Sequence, residues 1–450
     1  MHTALLSLPT RHLLRLVITV GVLGIFGLLL PASAHAASPA NAAWWRSFDD
    51  PLLTQLIDEA LSHNTDIALA QGRITQMQAA RRLSASALAP TLNIQGSANR
   101  SVQSQQAVTT DRLGLDGAWN PDLSGAQAAA LRGADLDVAS AQISAIATQQ
   151  TVAAAVALAY IPLRGFWRQL NLSLDNLDAQ QQTQQLTAWR AQAGLGSTLE
   201  AEQARANTEQ TRANLPGIEA NIRTHEHRLS VLLGMAPDAL HERLGRSDQM
   251  PLVPQPLPDH VAANILRRRA DLQAAELSIQ AEAARLDSQQ AARWPSFTLS
   301  GSLALQAATL SGLGASGAWL AALGAAVTWP LLDGGNREAR ISAQEAVFEQ
   351  ARLSYQNATR VAMEDVANAL VGVESTQRQI EALQHATQAA HNALTLAQHR
   401  YRAGLVDFTT LLDAQRTALS LDISLASAQT QHSLSLVQLG QALGGDWNTP

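Results

Sequence analysis

The chain has 450 residues, 31 basic and 37 acidic side chains, a formal charge of −6, no Cys and only 4% aromatic residues. Without Cys there is neither a disulfide framework nor a thiolate metal site, and a mildly acidic chain is a poor nucleic-acid binder. Ala, Leu, Gln and Arg dominate, a composition suited to long helices, and every basic residue is Arg.

The first element is a targeting segment. Arg11 and Arg15 flank an apolar run from Leu16 to Leu30, Pro31 ends it, and Ala34-His35-Ala36 offers a cleavage site. Residues 1–36 are therefore read as a secretory signal peptide. The competing reading is a membrane anchor, but the 15-residue run falls short of the ~20 residues a spanning helix needs. Removing residues 1–36 leaves 29 Arg against 37 acids. No later stretch approaches 18 consecutive apolar residues, so any membrane insertion of the mature chain has to use β-strands in a closed barrel.

The remainder repeats itself. Asn64-Thr65-Asp66-Ile67 returns as Arg269-Ala270-Asp271-Leu272, and Ala89-Pro90-Thr91-Leu92 as Trp294-Pro295-Ser296-Phe297, each 205 residues later. Trp119-Asn120-Pro121 returns as Trp329-Pro330, and Ala193-Gly194-Leu195 as Ala403-Gly404-Leu405, the last 210 later. The predicted repeats are 37–254 and 255–450. Each reads helix, two strands, very long helix, return helix.

In the first repeat the strands fall at about 91–121, the long helix at 125–193 and the return helix at 197–233. Leu92, Ile94, Gly96 and Ala98 alternate with Asn93, Gln95, Ser97 and Asn99. Pro162 and Gly165 interrupt the long-helix pattern, which predicts a kink just before Pro162. In the second repeat the strands fall at about 296–329, the long helix at 335–403 and the return helix at 407–443. Phe297, Leu299, Gly301, Leu303 and Leu305 alternate with polar residues, whereas the run from Trp319 to Trp329 has a less clear pattern. Ile341, Phe348, Tyr355, Ala362, Ala369 and Leu383 form one seven-residue line, and Val366, Val373, Ile380, Leu394 and Tyr401 a second. Such seams belong to coiled-coil packing. The segment 336–403 contains no Pro and could run ~100 Å as one helix.

An apolar–polar period of two over ~10 residues fits a transmembrane barrel strand; a soluble sandwich strand has the same pattern. The junctions favour the barrel. Pro90, Pro121, Pro295 and Pro330 mark the four helix–strand transitions, and Trp119, Trp294 and Trp329 stand at three of them. Trp is favoured at membrane–water boundaries, so these three form a candidate interface girdle. Four strands cannot close a membrane barrel, since about eight is the minimum. The chain must oligomerise, and the strand count alone does not choose between two copies and three.

These residues resemble a known family. Trp44-Trp45-Arg46-Ser47-Phe48-Asp49-Asp50-Pro51-Leu52-Leu53, Pro295-Ser296-Phe297-Thr298-Leu299, Trp329-Pro330-Leu331-Leu332-Asp333-Gly334-Gly335, and Arg400-Tyr401-Arg402-Ala403-Gly404 with Thr410-Leu411-Leu412-Asp413-Ala414-Gln415-Arg416 are similar to motifs of outer-membrane efflux factors of the TolC/OprM type. The likeness spans residues 44–447. It departs at Ala270, where the family usually has Pro, and in lacking the Cys that many relatives lipidate. The resemblance implies a mainly α fold with a membrane β-barrel. A homotrimer would complete a twelve-stranded barrel, with the helices forming a periplasmic tunnel in the outer membrane of a Gram-negative bacterium. It also implies a periplasmic adaptor, an inner-membrane pump of the RND class and contact with outer-membrane lipid, with no catalysis, cofactor or metal.

At the tip, Gly194 and Gly404 end the long helices, as left-handed positions favour Gly. By resemblance Gly194, Leu195, Gly404 and Leu405 are the adaptor-contact positions. Asp413 and Arg416, one helical turn apart, would be gate residues held by charge pairs. Tyr401, Asp407 and Glu200 join them as further gate candidates. His225 with His227, and His385, His391 and His399, lack ligand spacing, and Arg267-Arg268-Arg269 opens a helix rather than a nucleic-acid patch. Two alternatives remain: a type I secretion duct for proteins, and a periplasmic coiled-coil spacer without a pore.

Overall fold

The computed structural model describes residues 44–103, 106–251, 268–315 and 317–445. The expected signal peptide, Arg267 and the boundary between the repeats at 254 lie outside the described residues. A 3₁₀ turn, Trp44–Phe48, leads into helices α1 (Pro51–His63) and α2 (Thr65–Ser86). Strands β1 (Thr91–Gln103) and β2 (Gln106–Trp119) follow, then the long α3 (Ala126–Gln192), its return α4 (Thr198–Leu232) and the short α5 (His241–Leu244). The second half holds α6 (Ala270–Ala291), β3 (Ser296–Ala307), β4 (Trp319–Thr328), α7 (Asn336–Arg402) and α8 (Phe408–Ala442).

Local chemistry sets the boundaries. Asp50 caps α1, its Oδ1 accepting from the N–H groups of Leu52 and Leu53 at 2.9 Å, with Pro51 at the first position; both features favour a helix start. Asn64 divides α1 from α2. Its Oδ1 accepts from Asp66 N–H at 2.8 Å while its Nδ2 donates to the Leu232 carbonyl at 2.8 Å, tying this corner to the end of α4.

The two halves match in helix length: α2 and α6 have 22 residues, α3 and α7 have 67, and α4 and α8 have 35. Helix α6 begins 205 residues after α2, but α7 and α8 begin 210 after α3 and α4. The length difference is therefore confined to the strand hairpins and their connections.

Helices α3 and α4 pack as one antiparallel pair and α7 and α8 as another, while α6 bridges α3 and α7. The seven-residue lines of α7 hold in the structure. Ile341, Ala362, Val366, Ala369, Val373, Ile380 and Tyr401 are buried, and Phe348, Tyr355, Leu383 and Leu394 are half-buried. Helix α3 continues through Pro162. Pro162 offers no N–H to the Leu158 carbonyl, yet it sits between Tyr160, Ile161, Leu163 and Arg164, all buried. Tertiary packing there outweighs the lost bond. Helix α4 likewise carries Pro216 internally.

This part of α3 is apolar enough for a membrane span by composition, but half of it is buried within the chain. It forms the main core with Trp44, Phe48, Leu53, Leu56, Leu229, Val373 and Leu439. A polar chain crosses that core: Arg164 Nε donates to Tyr160 Oη at 2.8 Å, and Tyr160 donates to Asp50 Oδ2 at 2.8 Å. Arg164 also donates to the carbonyl of Ser247 at 3.0 Å. Burial raises the Tyr160 pKa well above its usual value, the first of several causes.

The four strands form one antiparallel sheet in the order β1-β2-β3-β4. The indistinct run after Trp319 is strand β4. The register aligns Ile94, Leu115, Leu303 and Ala321 on one face and Asn93, Asp116, Ser302 and Ala322 on the other.

Candidate functional site

Two regions carry the candidate residues, the helical tip and the sheet, at opposite ends of α3 and α7. The tip consists of two turns of the same design. In the first, Gly194 takes φ +71°, and Leu195 N–H donates to the Arg190 carbonyl at 2.8 Å. In the second, Gly404 takes φ +71°, and Leu405 N–H donates to the Arg400 carbonyl at 2.8 Å. Both are Schellman closures, which need a left-handed residue after the last helical turn. Each leaves its Leu in solvent: Leu195 is 72% and Leu405 73% exposed. The next helix starts on a capping side chain, Ser197 Oγ accepting from Leu199 N–H at 3.1 Å and Asp407 Oδ1 from Thr410 N–H at 2.9 Å. The Thr410 donors hold the Asp407 carboxyl below its ordinary value.

Tyr401 occupies the centre of this end and is only 3% exposed. It packs on Phe408 with ring centroids 5.8 Å apart, inside a small apolar cluster with Ala204, Ala397, Leu411 and Leu412. The Arg190 guanidinium lies 5.0 Å from its ring centroid, a cation–π distance. Its hydroxyl reaches Glu200 Oε2 at 3.5 Å. Burial, and next the charge of Glu200, raise the Tyr401 pKa.

The structure therefore brings Tyr401 and Glu200 together and adds Arg190, which sequence reading missed. Residues from both hairpins meet in this contact. Two more bonds join them farther from the turns: Arg416 Nε donates to Asn207 Oδ1 at 2.9 Å, and Gln415 Nε2 to Thr183 Oγ1 at 3.2 Å. Asp413 stands apart. It is exposed and makes no hydrogen bond or ion pair among the described residues, and Arg416 turns to Asn207 instead of to it. Asp407 serves as a helix cap. Trp189, 58% exposed one turn before Gly194, extends the apolar surface of the first tip.

At the other end, the apolar sheet face is open. Ile94 is 79% and Leu323 82% exposed. Trp119, Trp294 and Trp329 are exposed at the helix-joined end of the strands. Trp119 Nε1 donates to the Leu88 carbonyl at 3.0 Å. At the far end Trp319 pairs with Leu305 and is also exposed. Sequence reading left Trp319 out, although an aromatic residue at the start of an apolar strand is the available signal. Among the described residues no cluster of His, Asp or Glu has metal-binding geometry. His225 packs on Phe166, and its burial lowers its pKa.

Paired long hairpins ending in glycine-closed tips, joined to a four-stranded antiparallel sheet with one apolar and one polar face, define the class of fold. The profile of the "Outer membrane efflux protein" family matches residues 56–235 and 261–445, and the chain belongs to that family. It is 28% identical to outer membrane protein OprJ of Pseudomonas aeruginosa over 90% of this chain and 88% of that protein. It is 28% identical to the toluene efflux pump outer membrane protein TtgC of Pseudomonas putida over 97% of this chain and 96% of that protein. The solved outer-membrane channel OprN matches at a TM-score of 0.85 and 31% identity, covering 91% of this chain and 94% of its own.

Proposed function

We propose that the chain is the outer-membrane channel subunit of a tripartite efflux pump. It exports small molecules and is gated at its periplasmic helical tip. The observation that carries this reading is the division of the sheet into an apolar and a polar face. A membrane barrel with an aqueous lumen needs that division. Both outer strands, β1 and β4, lack a further partner in the sheet, and an unpaired edge is not viable in lipid. Three copies, as in the resemblance to the TolC/OprM type, close twelve strands.

In this homotrimer Trp119, Trp294 and Trp329 lie at the periplasmic membrane boundary and the barrel alone anchors the chain, since no Cys is present for lipidation. Leu195 and Leu405, beside Gly194 and Gly404, meet the periplasmic adaptor, and an inner-membrane pump of the RND class supplies the energy. The relative named for toluene efflux supports a small-molecule cargo. The protein performs no catalysis, needs no cofactor and has no nucleic-acid partner.

The gate is the Tyr401–Glu200–Arg190 contact together with Arg416, Asp407 and the exposed Asp413. An unpartnered carboxylate repeated around a threefold axis narrows the pore and favours cations. The test is single-channel conductance in planar bilayers for wild type and Asp413→Ala. A small, mostly closed conductance that rises in the variant is expected. An unchanged conductance removes Asp413 from the gate but keeps the channel. No conductance from folded trimer leaves a periplasmic spacer.

A further inference from the structure

The polar face of the sheet holds one charged pair. Arg112 Nη2 lies 2.6 Å from Asp116 Oδ1, both on β2. The register places them on the same side as Asn93, Ser97, Ser302 and Gln306, opposite the exposed leucines. Among the described residues of that face no other side chain carries a charge. The matching positions 210 residues later, on β4, are Ala322 and Ala326, so the pair belongs to one repeat only.

The geometry is specific. Four residues along a strand span about 13 Å, so Arg112 must lie flat along β2 to reach Asp116. The residue between them on that face is Gly114. A Cβ there would stand 2.6 Å from the Cβ of Ala304, its partner on β3, and Ala304 is buried. The second oxygen of Asp116 is buried without a hydrogen-bond partner, so among the described residues Arg112 is its neutralising contact.

We propose that Arg112 and Asp116 set the ion selectivity of the barrel section, and that their mutual pairing keeps it neutral. The inference rests on the channel reading, in which the polar face lines the lumen. Three copies put three guanidinium and three carboxylate groups around one level of the pore. Paired, they cancel, and solutes of either sign pass this level toward the exterior. A ring of unpaired carboxylates selects cations, and a ring of unpaired Arg selects anions.

The experiment is the reversal potential across a planar bilayer under a KCl gradient. It compares wild type, R112Q, D116N, the double variant R112Q/D116N and the charge swap R112D/D116R. Low salt is used, because the Debye length grows from ~10 Å at 0.1 M to ~30 Å at 0.01 M. The tip is identical in all five proteins, so its own selectivity is a constant background. The K⁺/Cl⁻ permeability ratio should rise in R112Q, fall in D116N, and return to the wild-type value in the double variant and the swap. If R112Q does not fold because its carboxylate is left without a donor, D116N and the swap carry the same test. Conducting variants that all keep the wild-type ratio overturn this proposal alone. A folded wild type that does not conduct overturns the channel reading and this proposal with it.

Discussion

At the scale of single residues, Tyr401 was legible as a tip residue from the Arg400–Gly404 motif, but its partners were not. Arg190 and Glu200 lie in the other repeat, some 200 residues away, and only folding brings them to its ring and hydroxyl. Asp413 and Arg416 illustrate the converse. Their spacing puts them on one helix face, yet the nearer partner of Arg416 is an amide on a different helix. Truncating Tyr401 to Ala removes the centre of a small cluster and should cost about 3 kcal/mol locally. Limited trypsin digestion should then cut faster after Arg190, Arg400 and Arg402, and unchanged cleavage rates would count against a closing role. The raised Tyr401 pKa has a pH consequence. The folded state keeps its proton above pH ~10, where the unfolded chain gives it up. The resulting stabilisation is full below ~10 and is lost as pH rises through the folded value. Wild type should therefore show an alkaline loosening of the tip that Y401F lacks, measured by digestion or conductance across pH 9–11.

At the scale of elements, helix limits were readable wherever Gly, Pro or a capping side chain acts locally. Gly194 and Gly404 end the long helices as expected, and Gly125 and Gly335, at φ +74° and +82°, stand immediately before them. The long helix at 125–193 and the return helix at 197–233 were read straight through Pro162 and Pro216, as α3 and α4 run; what was not readable is what packs around Pro162. A proline's local cost is visible in sequence, whereas the packing that offsets it at Pro162 comes from α1, α4 and α8. Gly165 shows why that packing is close. A Cβ at this position would stand 2.4 Å from Thr430 Oγ1 on α8. Gly165→Ala should destabilise the chain by about 1–3 kcal/mol through overpacking. Thr430→Ala should recover part of the loss in a double-mutant cycle followed by thermal unfolding. Additive effects would mean that the two helices do not meet there.

At the scale of the whole molecule, the repeat, the helix–strand order and the alternation of the strands could all be read from residue spacing. The sheet register could not, because two-residue periodicity fixes which side chains share a face but not which strand lies beside which. Nor could the copy number, since two unpaired edges leave room for further strands without counting the chains that would supply them. In the proposed assembly, unheated protein should migrate on a denaturing gel as a trimer and convert to a monomer band on heating. Migration as a monomer under both conditions, from protein with native helix content, would remove the closed barrel.

The equal lengths of the two hairpins bear on symmetry. With α3–α4 and α7–α8 matched residue for residue at 210, a trimer presents six backbone turns of nearly one shape. Their side chains, however, differ: Tyr401 and Asp413 have Ala191 and Gln203 at the matching positions. In the proposed trimer the backbone would be close to sixfold while the chemistry would be threefold. A docking protein that reads turn shape finds six seats, whereas one that reads charge finds three, so the stoichiometry of a complex at this end reports which of the two is recognised.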